Sequence, residues 1–226
     1  MKIDWQPLLL SLELSLITTL LLLVIGIPLA YWLVYTKLRI KPLLESIISL
    51  PLVLPPSVLG FYLLISFSPN SFLGSLLEHH FDLRLVFSFE GLVIASLIYS
   101  LPFMVHPIQS GLQHLPSSLK EASYTLGKSE RETLFKVLLP NIGTSLLTGI
   151  ILTFAHTMGE FGVVLLIGGN IPGETKLASI AVYEEVESMN YSAANFYATV
   201  LLILSVVILT SMFWINRKLN KRFLFI

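Results

Sequence analysis

Two ionisable side chains, His156 and Glu160, interrupt the apolar run FAHTMGEFGVVLLIGGN (154–170). On a continuous helix their i, i+4 spacing puts them on one face. An imidazole and a carboxylate at membrane depth could relay a proton, line a path for a polar solute or hold a gate, and such residues mark functional sites by default. The plainer alternative is that Glu160 hydrogen-bonds a neighbouring backbone group or hydroxyl and fixes packing. A second candidate is ASYTLGKS (122–129), in which Gly127-Lys128-Ser129 match the end of the phosphate-binding loop G-x-x-x-x-G-K-[ST]. Ala122 stands where the first glycine is needed, no strand precedes it, and no α/β domain fits in the chain. Nucleotide binding by this chain is therefore rejected.

The elements that would position these residues are membrane spans. The 226 residues are 54% hydrophobic and only 12% charged, against about 25% charged in soluble domains. A helix of roughly 20 apolar residues crosses the hydrocarbon core, and five stretches qualify: about 8–35, 43–67, 87–112, 134–167 and 195–215. The expectation is an all-α polytopic membrane protein, a single domain over 1–226 with no separate soluble part. The first span is too long for a signal peptide, lacks a small-residue cleavage pattern and is read as retained. Without cysteine, disulfides, thiolate metal sites and cysteine nucleophiles are absent.

Basic residues collect in cytoplasmic loops. Of the 14 Lys and Arg, Lys37, Arg39 and Lys41 lie between spans one and two; Lys120, Lys128, Arg131 and Lys136 lie in the polar segment that leads into span four; Arg217, Lys218, Lys221 and Arg222 lie in the tail. Only Lys2, Arg84 and Lys176 fall on the other side, beside Glu78, Asp82, Glu184, Glu185 and Glu187. The N-terminus is expected outside and the C-terminus inside. Glu13, Glu45 and Glu90 lie near span ends, within reach of water. The last span has neither charge nor proline and reads as a lipid-facing or scaffold helix.

Proline and glycine should break several spans: Gly26 and Pro28, then LPLVLPPSVLG (50–60), then Pro102 and Pro107. Proline removes a helix hydrogen bond, and the freed carbonyl must find a neighbour or a wet cavity. Prolines are also simply commoner in membrane helices. The doublet Pro55-Pro56, followed by Ser57 and Gly60, points instead to the lining of a pathway, since broken helices recur in transporters.

The most polar stretch, EASYTLGKSERETLFKVLLP (121–140), has six charged residues in twenty. Ser118 to Glu121 fits a capping box that opens a short helix. Gly127 offers the left-handed conformation that ends it, and Ser129 to Glu132 fits a second capping box. Capping is the plainer reading of both Glu121 and Glu132. Leu119, Ala122, Ser123 and Leu126 share a face by 3–4 spacing, and the small residues would let a partner approach closely. A plain solvated loop is less well organised than this.

At these residues the chain resembles a family. Glu121-Ala122-Ser123, Gly127 and Val137-Leu138-Leu139-Pro140 are similar to the EAA…G…LP loop of ABC importer permeases, with Ser123 for the usual second alanine and Val137 for the usual isoleucine. The resemblance covers most of the chain. It implies that 114–133 forms a coupling helix seated in a separate ATPase subunit, through Leu119, Glu121, Ala122, Ser123, Leu126 and Gly127. It also implies a homodimer in the bacterial inner membrane with two ATPase copies, which would carry the ATP and Mg. This chain would bind no cofactor, metal or nucleic acid and would not be an enzyme.

The stretches GEFGVVLLIGGNIPGET (159–175) and LPLVLPPSVLGFYLL (50–64) look specifically like molybdate permeases, with sulfate, thiosulfate or tungstate permeases as the alternative. The resemblance implies an external molybdate-binding protein. No Lys or Arg lies within a span apart from Lys136 at the start of the fourth, and Glu160 would repel a dianion, so tight recognition is expected on that partner. The pore then needs only weak neutral donors: hydroxyls of Ser57, Thr153 and Thr157, and the N–H groups of Gly168, Gly169 and Asn170. These last three equally suit an ordinary turn. Pro55, Pro56, Ser57, Gly60, Thr153, His156, Glu160, Gly168, Gly169 and Asn170 are the expected path and gate residues. A proton-coupled secondary transporter is the rival from another class; a structural or receptor protein explains neither Pro55-Pro56 nor the capped loop.

Overall fold

The computed structural model describes the backbone of residues 4–223 and the side chains of 4–80 and 82–218. Lys2, used in the charge argument, lies outside the described residues, as do the side chains of Lys221 and Arg222. The described secondary structure is helical. In chain order it comprises α1 (Gln6–Tyr35), α2 (Lys41–Val53), α3 (Pro56–Phe67), α4 (Phe72–Phe81), α5 (Phe89–His114), α6 (Ser117–Thr125), α7 (Glu130–Thr133), a π-helical turn (Leu134–Leu138), α8 (Leu139–Asn141), α9 (Gly143–Met158), α10 (Gly162–Gly168), α11 (Ala178–Glu187) and α12 (Tyr191–Phe223).

Among the described residues, three helices are long and apolar enough to cross a membrane: α1, α5 and Tyr191–Lys218 of α12. Two further crossings exist only if bent pairs are each counted as one span. One is α2 with α3, bent by 112°; the other is Glu130–Asn141 with α9, bent by 83°. The expected second and fourth spans are thus broken elements. In the second, Leu54 and Pro55 leave the helical conformation, because a residue before proline is pushed toward the extended region. In the fourth, the Leu139 N–H reaches back to Leu134 O in the π-helical turn just ahead of Pro140, and Ile142 ends α8. The chain breaks again at Gly159–Phe161, between α9 and α10.

The expected breaks at Pro28, Pro102 and Pro107 do not occur, because α1 and α5 run through them. Both helices are packed on several sides, which holds the helical path despite the lost bonds. The centre is a three-helix contact of α1, α5 and α9. A Cβ on Gly26 would come within 2.8 Å of Met104 Cγ, and one on Gly149 within 3.1 Å of Met104 O. Small residues let membrane helices approach this closely.

Two apolar clusters occupy opposite ends of this bundle. One joins Leu22, Ala30 and Leu33 of α1 to Met104, Ile108 and Leu112 of α5 and Leu138 of the π-helical turn. The other joins Leu14, Leu92 and Ala95 to Val163, Val164 and Ile167 of α10. Between them lies a seam of buried hydroxyls: Ser15, Thr18 and Thr19 of α1, Ser96 and Ser100 of α5, and Thr153 and Thr157 of α9. Ser15 Oγ and Thr19 Oγ1 donate to carbonyls one turn back at 2.6 Å each, so α1 satisfies these hydroxyls internally.

The segments read from sequence as loops contain two more helices, α4 and α11. Ser71 caps α4 by accepting from the Gly74 N–H at 2.9 Å. Helix α11 buries Ala178, Ile180 and Ala181 and packs on α12. Only 6% of the apolar window of α12 is buried, in keeping with an outer scaffold helix.

Candidate functional site

The break in the second expected span and the later of the two in the fourth, at Gly159–Phe161, meet at one place. Pro56 and Ser57 of α3 face His156, Gly159 and Glu160, and Tyr99 of α5 closes the side, around a cavity of about 590 Å³. The pairing of α3 with α10 is held by glycines. A Cβ on Gly162 would lie 2.8 Å from Pro56 Cβ, and one on Gly60 would lie 3.1 Å from Val163 Cα. Gly60 is thus buried under α10 and is not among the cavity-lining residues.

His156 and Glu160 do not share a helix face. Helix α9 stops at Met158, Gly159 is its cap and Glu160 lies in the break before α10. Both nevertheless line the cavity. Two hydroxyls one turn apart on α5 hold them. Ser96 Oγ donates to Glu160 Oε2 at 2.8 Å. Ser100 Oγ lies 2.9 Å from His156 Nδ1 and 2.9 Å from Thr157 Oγ1. The His156 ring stacks on Phe103, with centroids 3.9 Å apart, and Ser179 Oγ of α11 donates to Glu160 O at 2.5 Å. Glu160 is 3% exposed, and its Oε1 has no hydrogen-bond partner among the described residues. A hydroxyl partner for Glu160 is what the packing alternative required.

The sequence reading missed Ser96, Ser100, Tyr99 and Phe103. The available signal was IASLIYSLPF (94–103), where two serines four apart interrupt an apolar helix. It also missed a second polar cavity of about 430 Å³ further along α5, lined by Glu45, His106, Gln109, Ser110 and Gln113. There Gln109 Nε2 donates to Glu45 Oε1 at 2.6 Å, and Ser49 Oγ lies 3.0 Å from His106 Nε2. Glu45, set aside as an end-of-span residue, is thus held in a network.

The remaining path candidates lie elsewhere. Pro55 caps α3. Thr153 is fully buried, and its Oγ1 is unpartnered among the described residues. Gly168 packs against Leu92 and Thr175, and Gly169 against Phe87. Gly169 and Asn170 both have positive φ, 68° and 56°, the turn conformation that ends α10. Asn170 Nδ2 donates to Glu184 Oε2 at 3.2 Å, and Lys176 Nζ lies 2.5 Å from the same oxygen. Hydrogen bonding to Lys176 holds the Glu184 carboxyl below its ordinary pKa, with burial opposing and Asn170 assisting.

The polar loop forms a separate site. Helix α6 starts at Ser117 with Pro116 as its N-cap and no side-chain cap. The capping box expected from Ser118 is absent, because the proline ahead of the helix starts it one residue earlier. Gly127 has φ 75°, as its position required. The second capping box is present: Ser129 Oγ accepts from the Glu132 N–H, and the Glu132 carboxylate accepts from the Ser129 N–H. Ser123 points inward, with Oγ 2.8 Å from Thr133 Oγ1, so it bridges α6 to α7. Glu121, Ala122 and Leu126 stay exposed and Leu119 is half-buried; Leu126 is 78% exposed.

A multi-pass helical bundle with broken helices around a cavity that holds His156 and Glu160 is an architecture found among membrane transport proteins. Over residues 22–225 the chain matches the binding-protein-dependent transport system inner membrane component family, and it belongs to that family. The molybdenum transport system permease protein ModB of Azotobacter vinelandii is 42% identical over 93% of this chain and 93% of its own length. A probable sulfate transport system permease protein, cysT, of Nephroselmis olivacea is 34% identical over 95% of this chain and 75% of its own. The MetNI methionine ABC transporter in inward facing conformation superposes with a TM-score of 0.71 over 94% of each chain, at 17% identity. At that identity the likeness is one of fold.

Proposed function

We propose that this chain is the pore-forming subunit of an ATP-driven importer for a tetrahedral oxyanion, molybdate first and sulfate second. Its N-terminus lies outside and its C-terminus inside. Two copies pair, each engaging one ATPase subunit, and a molybdate-binding protein delivers the anion from outside. ATP and Mg belong to the ATPase. The 42% relative named for molybdenum transport, against 34% for the sulfate one, favours molybdate.

The observation that carries this reading is the α6–Gly127–α7 unit. It is capped, turned at a left-handed glycine, and bridged internally by Ser123 and Thr133, yet it leaves Ala122 and Leu126 exposed. An exposed leucine on an ordered polar turn suits docking into a partner's groove better than solvation. The 590 Å³ cavity at Pro56, Ser57, His156 and Glu160 serves as part of the path. The Ser96 bond to Glu160 supports a gate-packing or helix-positioning role for that residue.

Reconstitution with the ATPase and binding protein in liposomes tests the reading. Uptake of labelled molybdate should require ATP and survive collapse of the proton gradient. Gradient-driven uptake without ATP would overturn it in favour of a secondary transporter. For orientation, cysteines replacing His80 or Ser188 should react with an impermeant thiol reagent from outside, and those replacing Arg39 or Lys128 should not. The reverse pattern would invert the topology.

A further inference from the structure

The end of α1 and the polar loop meet through two interlocked i, i+4 pairs. Tyr31 and Tyr35 close α1, their ring centroids 4.7 Å apart; Lys120 and Tyr124 lie one turn apart on α6. The Lys120 ammonium sits 3.4 Å from the centroid of Tyr35, 4.9 Å from that of Tyr31 and 5.7 Å from that of Tyr124. Beyond the Gly127 turn, Glu130 Oε1 of α7 accepts from Tyr31 Oη at 2.9 Å. The tyrosines of α1 therefore grip both arms of the turn, one by cation–π contact and the other by a hydrogen bond.

Around this grip the interface is open. A cavity of about 410 Å³ lies beside it, lined by Trp32, Thr36, Arg131 and Leu134 among others. Discrete polar contacts across a gap can transmit a pull without burying the loop in the bundle. An ammonium over several aromatic faces is directional, since each ring's negative face must point at the charge.

We propose that Lys120, Tyr124 and Glu130 on the loop, with Tyr31 and Tyr35 on α1, form a clasp that makes the end of α1 move with the α6–α7 unit. They are positioning residues for transport, and this rests on the reading of that unit as the ATPase-coupling element. Motion of α6 also reaches the membrane through Leu115-Pro116 into α5 and through the π-helical turn and α8 into α9. The clasp adds a further route, into α1, which packs on α5 and α9. Both of those helices hold the cavity's polar residues.

The test uses the full complex with ATPase and binding protein in liposomes, comparing the parent with Lys120→Gln, Tyr35→Leu, the double variant and Lys120→Arg. Three readings are taken: ATPase co-purification, stimulated hydrolysis, and molybdate taken up per ATP. A cation–π contact of about 1 kcal/mol corresponds to roughly a five-fold effect. Lys120→Gln and Tyr35→Leu should keep co-purification and hydrolysis within about two-fold and lower uptake per ATP by about three- to ten-fold. The double variant should be no worse than either single, because both break one contact, and Lys120→Arg should restore uptake. Unchanged uptake per ATP in both singles would overturn the clasp, as would additive losses. Loss of co-purification in Lys120→Gln would make Lys120 a docking contact and also overturn it. Failure of the parent to couple uptake to ATP at all would instead overturn the proposed function, and the clasp with it.

Discussion

Ser96 on α5 donates its hydroxyl to Glu160 at 2.8 Å, across the break that separates α9 from α10. The bond ties an unbroken membrane helix to the point where a broken one changes direction. One turn further along α5, Ser100 Oγ lies 2.9 Å from both His156 Nδ1 and Thr157 Oγ1. Two hydroxyls on an unbroken helix thus hold the residues on either side of Gly159 that line the cavity.

The Ser96→Ala variant should leave a carboxylate that is 3% exposed with neither oxygen paired among the described residues, since Oε1 already lacks a partner. Leaving a buried polar group unsatisfied costs about 1–3 kcal/mol. The detergent-solubilised protein should melt several degrees lower, whereas Ser118→Ala, at an exposed residue, should not shift it. An unchanged melting temperature for Ser96→Ala would mean that Glu160 finds another donor.

The long apolar helices α1, α5 and α12 were legible in the sequence because length and hydropathy are properties of composition. Gly127 and the Ser129–Glu132 box were legible because turn and cap chemistry is local. The outcome at proline depended on surroundings. Pro28, Pro102 and Pro107 sit singly in helices supported by packing, while the break falls at Leu54-Pro55, where the Pro55-Pro56 doublet pushes two successive residues out of the helix. The i, i+4 reading of His156 and Glu160 failed because a glycine ends the helix between them. They still meet, through a cavity whose other wall comes from residues about a hundred positions earlier.

Gly127 tests backbone geometry apart from packing. Its φ is 75° and a Cβ there would meet nothing within 4 Å. Any cost of a side chain is therefore conformational, about 1–2 kcal/mol for an ordinary L-residue. Gly127→Val should insert normally but weaken ATPase co-purification or uncouple hydrolysis from uptake. Gly127→Asn, which enters this conformation more readily, should be milder. Equal, normal transport by both variants would show that the turn is not required.

Gly162 tests the contact between α3 and α10. A Cβ there falls 2.8 Å from Pro56 Cβ and 3.5 Å from Ser57 N, and neither proline nor backbone can swing away. Overpacking of this kind costs about 1–3 kcal/mol. Gly162→Ala should lower the melting temperature and reduce transport, since Pro56 and Ser57 line the cavity. Gly60→Ala strains the same contact through Val163 Cα at 3.1 Å, so the two effects should not add. Strict additivity in thermal melts would show that the two glycines belong to independent interfaces.

The Lys176–Glu184 pair makes stability depend on pH in a defined direction. Hydrogen bonding to Lys176 depresses the Glu184 pKa in the folded protein, while the unfolded chain titrates near the ordinary value of about 4.3. The folded state therefore binds fewer protons, and the stabilisation is complete above that unfolded value. It fades as pH falls through the depressed folded pKa, where both states become protonated. Because the Glu184 side chain is 46% exposed, solvent screening keeps the contribution small. The test is a pH series of thermal melts on the parent and Glu184→Gln. The parent should be the more stable at pH 7, and the gap should close as pH drops below about 4.3. A gap that stays constant through the series would mean that it does not arise from the titration of Glu184. A gap that widens in acid would reverse the sign of the linkage.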